Sequence, residues 1–238
     1  AVSVVWSQPY RERGTLDVSG IAVIGAGYWG KNLVRNVARL DRLVAVCDVS
    51  PAIRERMSAA YPEAHVTADL SEVLEDARVT AVMIAVPAGE HYEVAKRALL
   101  AGKHAYVEKP ITLDVAEAEE LVALAAERDL RLMVGHLLLF HPCVTWMKER
   151  IDSGDLGRVL YLTSNRLNLG KVRSDENAMW SLAPHDVSVA LHLLGDRPIE
   201  VAAQGFCYLQ QRSGIEDVVF LTLRFADGRA AHIHVSWL

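Results

Sequence analysis

Lys109 and His185 are the two side chains of this 238-residue sequence whose settings best suit moving a proton. Lys109 stands in Glu108-Lys109-Pro110, directly after a short apolar run at 104–107. The proline restricts Lys109 to extended geometry, so a strand end would hold the amine still and aim it outward. Such a lysine can move a proton or polarise a carbonyl oxygen, especially where desolvation brings its pKa toward neutrality. The plainer alternative is a surface lysine paired with Glu108. His185 stands in Trp180-Ser181-Leu182-Ala183-Pro184-His185-Asp186, at the start of a helix expected over 185–194. Its imidazole accepts and releases a proton near neutral pH, which removing hydride from a secondary alcohol requires. The plainer alternative is a capping or core histidine. Asp186 is expected to serve the first turn of that helix rather than catalysis. Arg166, Asn168, Lys171 and Arg173 follow an extended run. Their cations suit a diphosphate or a sugar carboxylate, against the alternative of a solvated loop.

A second chemistry is ligand binding. Residues 21–48 read IAVIGAGYWGKNLVRNVARLDRLVAVCD, a β-α-β pattern around Gly25-Ala26-Gly27-Tyr28-Trp29-Gly30. Gly25 permits a tight turn, Gly27 lets the backbone approach a pyrophosphate, and Gly30 lets the helix pack close to the strand. Amides at the helix start face the phosphates. Asp48 ends the second strand, where a carboxylate accepts from a ribose 2′-hydroxyl and repels a 2′-phosphate, so NAD is expected rather than NADP. Glycine-rich turns are common, but here the strand before, the helix after and the distal acid are all present. The apolar run at 81–86 ends in Val86-Pro87, at a strand end of the kind that opens onto a cofactor crevice. The cofactor site is therefore expected to comprise Gly25, Gly27, Tyr28, Trp29, Gly30, Asp48, Val86, Pro87, His91 and Glu108.

Elements that would position these groups follow from periodicity. Strands are expected at 21–24, 43–47, 65–67, 81–86, 104–107 and 131–134, alternating with a helical stretch after Gly30 and with helices from Pro51 under a Ser50 cap, at 70–74, 91–100 and 114–128. The helix at 114–128 carries a stripe of Val115, Ala118, Leu121, Val122 and Ala125. That alternation argues an α/β fold, a doubly wound parallel sheet of the Rossmann type. The pattern then changes to a helix near 143–151 and extended runs at 159–167, 199–209, 218–225 and 229–237, with Asp227-Gly228 as a hairpin turn. This is the pattern of an α+β domain with a mostly antiparallel sheet. The expected organisation is an extension at 1–19, a dinucleotide-binding domain at 20–138 and a substrate and oligomerisation domain at 139–238.

Composition is ordinary, with 51% hydrophobic and 23% charged residues, net charge -5 and a pI near 6.0. With no basic block, nucleic acid and anionic membranes are not expected partners. No apolar run approaches the roughly 20 residues of a membrane span, and residues 1–19 lack the pattern of a secretory signal. Cys47, Cys143 and Cys207 are far apart, which fits a reducing cytoplasm better than a disulfide framework. His136 with His141, and His232 with His234, could each begin a metal site, yet no third ligand stands at a recognisable spacing, so no metal is expected.

GAGYWGKN, the Val-Pro loop, Glu108-Lys109-Pro110 and a histidine before a helix that runs to Leu194-Gly195 together resemble the Gfo/Idh/MocA family of glucose-fructose oxidoreductase and inositol 2-dehydrogenase. The resemblance runs from Ile21 to the end. It implies that Lys109 and His185 face the reacting carbon and share the proton work. Within the family, GYWGKN, GHLLLFHP, NRLNLGKVR and WSLAPHD are similar to enzymes that oxidise the 3-hydroxyl of UDP-linked N-acetylglucosamine or its uronate. Some relatives hold their cofactor tightly and need a 2-oxo acid to reoxidise it. Many sugar and inositol members carry an aspartate where this chain has Ser181. Relatives continue beyond Trp237 with further strands, so the chain is expected to be incomplete. The second domain's open sheet face implies a homodimer or homotetramer. The alternatives are an inositol or free-sugar dehydrogenase, a keto-sugar reductase, and a cofactor-binding scaffold without turnover.

Overall fold

The structure, a computed structural model, describes residues 20–169, 172–174 and 176–238. The expected extension at 1–19 and the candidate Lys171 lie outside these residues. The described chain forms two units that meet in sequence between Gly135 and His136.

The first unit is a parallel sheet of six strands: β1 (Ile21–Ile24), β2 (Leu43–Cys47), β3 (His65–Thr67), β4 (Ala81–Ile84), β5 (His104–Val107) and β6 (Leu132–Val134), in the order β3-β2-β1-β4-β5-β6. Side chains alternate across a strand, and here that alternation feeds two cores. Ala22 and Ile24 join Ala45, Cys47, Val82, Ile84 and Val107 on one face, while Val23 joins Val46, Leu33, Val34 and Val37 on the other. Helices α1 (Gly30–Arg39), α2 (Pro51–Ala60), α3 (Leu70–Glu75), α4 (His91–Leu100) and α5 (Val115–Glu127) connect the strands. The strand order reverses between β1 and β4. The crevice outside the carboxyl ends there is where open α/β sheets bind ligands.

Three local expectations shift. β4 stops at Ile84 rather than Val86, although the Ala85 amide still donates to the Ile24 carbonyl at 2.8 Å. Ser50 occupies the cap position of α2, but its side chain makes no cap bond; its own amide donates to Asp48 Oδ1 at 2.9 Å. Val115 and Val122 are exposed, because at about 100° per residue they lie roughly 80–100° round the helix from the buried pair Leu121 and Ala125.

The second unit holds α6 (Pro142–Asp152), β7 (Tyr161–Leu167), α7 (Ala178–Leu194), β8 (Pro198–Phe206), β9 (Val218–Phe225) and β10 (Ala230–Ser236). Its four strands run β7-β10-β9-β8, with β10 parallel to β7 and antiparallel to β9, and β8 antiparallel to β9. Val219, Leu221, Leu223, Phe225, Ala231, Ile233 and Val235 form a core with Ala178, Ala183, Ala190 and Leu194 of α7. Gly228, at φ +86°, turns β9 into β10 as the Asp-Gly pair requires.

α7 corrects the expected helix start. It begins at Ala178 rather than His185, under an Asn177 cap whose side chain accepts from the Trp180 amide at 3.0 Å. Pro184 lies inside it. The proline removes one backbone donor, an effect of about 3 kcal/mol in a helix interior. Burial of Ala178, Ala183, Ala190, Leu193 and Leu194 offsets the loss.

Candidate active site

The turn after β1 has the geometry its glycines suggest. Gly25 takes φ +85°, and a Cβ on Gly30 would stand 1.8 Å from the Gly25 carbonyl oxygen, so α1 starts against the turn at a distance no side chain permits. A Cβ on Gly27 would meet nothing within 4 Å. Two glycines thus serve the protein's own packing, and the third faces open space, as a turn that receives a ligand should. α1 has no acidic residue in its first turn and no side-chain cap at Trp29, so nothing in the helix itself neutralises its positive end. These features fit a dinucleotide diphosphate.

Asp48 stands at the end of β2, buried. Its Oδ2 accepts from the Ala26 amide at 2.8 Å and its Oδ1 from the Ser50 amide at 2.9 Å. The carboxylate ties the glycine turn to the start of α2, and each oxygen keeps a further lone-pair site for a ribose hydroxyl. Arg54 Nη1 donates to the Asp48 and Val49 carbonyls at 2.9 and 2.8 Å, which fixes this corner from the other side. Cys47, next to Asp48, has its thiol pushed up from 9.0 to about 11, by burial first and by the Asp48 charge second.

Val86 and Pro87 leave β4 beside this turn, Val86 half-buried and Pro87 exposed. His91, expected from sequence at the cofactor site, packs inside the first unit. It is buried, with Nδ1 2.6 Å from the Pro110 carbonyl oxygen and Nε2 3.0 Å from that of Val86. The ring therefore ties the loop after β4 to the residue that follows Lys109. Lys109 itself is half-buried at the end of β5, joined to Pro110 by a cis peptide bond. Glu108 is buried and takes two donors on Oε1: Trp29 Nε1–H at 2.7 Å and the Tyr106 hydroxyl at 2.9 Å. Burial and the Glu108 charge push the Tyr106 phenol well above its usual range, so it remains a donor. Tyr28 stands exposed, with Lys31 Nζ 5.6 Å from its ring centroid.

In the second unit His185 lies well inside α7, half-buried, its carbonyl accepting from the Ser188 hydroxyl at 2.8 Å. Asp186 is not a first-turn residue. It is buried and accepts from Arg166 Nε at 2.6 Å, Arg166 Nη2 at 3.2 Å and Ser164 Oγ at 2.6 Å. Arg166 therefore pins α7 onto β7 through this pair. Arg173 Nε pairs with Glu176 at 3.0 Å, which leaves less of its charge for a ligand. Asn168 is exposed beyond β7, its amide donating to the Ser236 carbonyl at 3.0 Å. An apolar cavity of about 430 Å³ lies in this unit between α7 and the β8–β9 side, lined by Trp180, Pro184, Leu191, Val201 and Leu223 among others. Among the described residues no group of three or more His, Cys, Asp or Glu side chains is arranged to hold a metal. No described helix is long and apolar enough to cross a membrane.

Sequence reasoning passed over Tyr106 and the Arg166–Asp186 pair. Tyr106 carried a signal, since residues two apart on a strand share a face and Glu108 follows at that spacing. Ser164 and Arg166 hold the same spacing on β7, but their partner on α7 is set by tertiary packing.

Comparison with known proteins agrees with this architecture. Residues 19–136 match the model of the GFO/IDH/MocA oxidoreductase family with an NAD-binding Rossmann fold, and residues 144–238 match the GFO/IDH/MocA C-terminal domain. The chain is 32% identical to UDP-N-acetylglucosamine 3-dehydrogenase of Acidithiobacillus ferrooxidans over 90% of its own length and 66% of that protein's. It is 30% identical to inositol 2-dehydrogenase of Rhizobium meliloti, over 90% of its length and 67% of the relative's. A solved structure of the Acidithiobacillus ferrooxidans enzyme superposes with a TM-score of 0.81 at 29% identity, covering 91% of this chain and 66% of that one. The chain thus spans about two-thirds of the length of these relatives.

Proposed function

We propose, from the premise that this chain belongs to the GFO/IDH/MocA family of oxidoreductases, that it oxidises a secondary hydroxyl of a sugar with NAD. The finer substrate we infer is a UDP-linked N-acetylated amino sugar or its uronate, with reaction at C3. The observation that carries the reading is the Trp29–Glu108 bond of 2.7 Å. It sets the glycine turn against the Glu-Lys-Pro strand end, so a dinucleotide held by the turn has the Lys109 segment beside it.

Gly25, Gly27 and Gly30 shape the diphosphate turn, Asp48 is available to the adenosine ribose, and Val86, Pro87 and Glu108 border the crevice. NAD, when bound, supplies the acceptor for the hydrogen that leaves the carbinol carbon. Lys109 Nζ and the His185 ring are assigned to the hydroxyl proton, and the lysine ammonium stabilises the alkoxide-like charge that develops as the proton leaves. His91 positions Lys109 through the Pro110 carbonyl. Asn168 and Arg173 are assigned to substrate oxygens.

Similarity to inositol 2-dehydrogenase supports a second reading, in which the substrate is an inositol or a free sugar. Incubating the protein with NAD, a 2-oxo acid where the cofactor stays bound, and in turn UDP-N-acetylglucosamine, its uronate and myo-inositol separates the two. Reduced cofactor, or with the 2-oxo acid present the matching 2-hydroxy acid, is expected with a nucleotide sugar, and Lys109→Met should slow that turnover by about 10²- to 10⁴-fold. Turnover with inositol alone would select the second reading, and turnover unchanged in Lys109→Met would remove the lysine from the mechanism.

A further inference from the structure

We infer that Trp29 and Tyr106 are positioning residues that hold the Glu108 carboxylate, through Oε1, with Oε2 presented to a hydroxyl or amide donor of the bound dinucleotide. A carboxylate withdrawn from water needs donors to compensate. Glu108 is 9% exposed and receives two from different segments: the indole N–H of the glycine turn at 2.7 Å and the phenol two residues upstream on β5 at 2.9 Å. Both fall on the same oxygen, which leaves the other free to accept. Room for the pair comes from a third segment, because a Cβ on Gly135, just past β6, would stand 2.5 Å from the Tyr106 hydroxyl oxygen and 2.9 Å from Glu108 Oε2.

The arrangement is more than packing. Trp29 is 42% exposed, so burial alone does not fix its ring; its N–H bond does. Trp29 also lies in the glycine turn, so its indole links that turn to the carboxylate beside Lys109. The inference rests on the reading of the first unit as an NAD site.

A double-mutant cycle on NADH affinity tests it, by titrating the fluorescence of the reduced cofactor into wild type, Trp29→Phe, Glu108→Ala and the double variant. Trp29→Phe keeps the aromatic ring and deletes the donor, and is expected to raise the Kd about tenfold. The double variant should bind no more weakly than Glu108→Ala alone, since the indole acts through the carboxylate. Tyr106→Phe, which removes one hydroxyl, repeats the cycle if Trp29→Phe does not fold, and should raise the Kd by about threefold. Additive losses in these cycles would overturn the inference, because Trp29 and Tyr106 would then act independently of Glu108. Wild-type protein that binds no NADH overturns the NAD reading together with it. Wild-type binding that Trp29→Phe and Tyr106→Phe leave unchanged overturns the inference and spares the reading.

Discussion

Glycine does two different jobs in the turn after β1, and a single methyl group distinguishes them. At Gly30 the added Cβ would stand 1.8 Å from a backbone oxygen, which cannot give way as a flexible side chain would. Gly30→Ala is therefore expected to lower stability by about 1–3 kcal/mol through overpacking, measured as a shift in the denaturant midpoint. An unchanged midpoint would mean that α1 packs more loosely than described. The turn, Asp48 and the Glu-Lys-Pro motif are legible in sequence because their residue types answer local demands on backbone and charge. His91 and Trp29 are not, because what they bind is far along the chain: Pro110 is 19 residues from His91, and Glu108 is 79 from Trp29.

The elements of the first unit were readable for a related reason. Strands buried on both faces are short apolar runs, and α4 carries its own stop in Gly102 at φ +75°. The expected start of α7 falls too late because Pro184 imitates a helix start, while the cap that decides the matter, Asn177, lies seven residues earlier in the chain. The same helix depends on the buried Asp186. Asp186→Ala removes the acceptor shared by Arg166 and Ser164, and is expected to lower stability by about 1–3 kcal/mol in chemical denaturation. A loss within about 0.5 kcal/mol would show that the pair does not pin α7 to β7. β2 makes a prediction about pH. Because the Cys47 thiol titrates at about 11 in the fold against 9.0 ordinarily, the fold keeps a proton that the unfolded chain releases. Its contribution is fully present below pH 9.0 and is lost as pH rises toward about 11. Thermal unfolding across that range should fall more steeply for wild type than for Cys47→Ala, and equal slopes would contradict the assignment.

At the scale of the molecule, two units of different architecture divide the tasks, the first holding the groups suited to a cofactor and the second carrying His185 and an open sheet. The face of that sheet away from α7 exposes Tyr161, Leu167 and Phe220. We propose that it pairs with a second copy, so light scattering should give a mass that is a multiple of 26.2 kDa, and a monomer would oppose this. The identity of the substrate is not readable at this scale. Arg166 and Arg173, two of the three cations that point to a diphosphate, are paired with Asp186 and Glu176 by a fold that composition does not reveal. The glycine turn is the proposed cofactor seat, and the rest of the proposed chemistry depends on it. Calorimetric titration of NADH into wild type and Gly27→Ala tests that most directly, because a Cβ at Gly27 meets no protein atom within 4 Å. We predict that Gly27→Ala keeps the wild-type unfolding temperature and binds NADH at least about tenfold more weakly. Equal affinity in the two proteins, or no binding by wild type, would contradict the account.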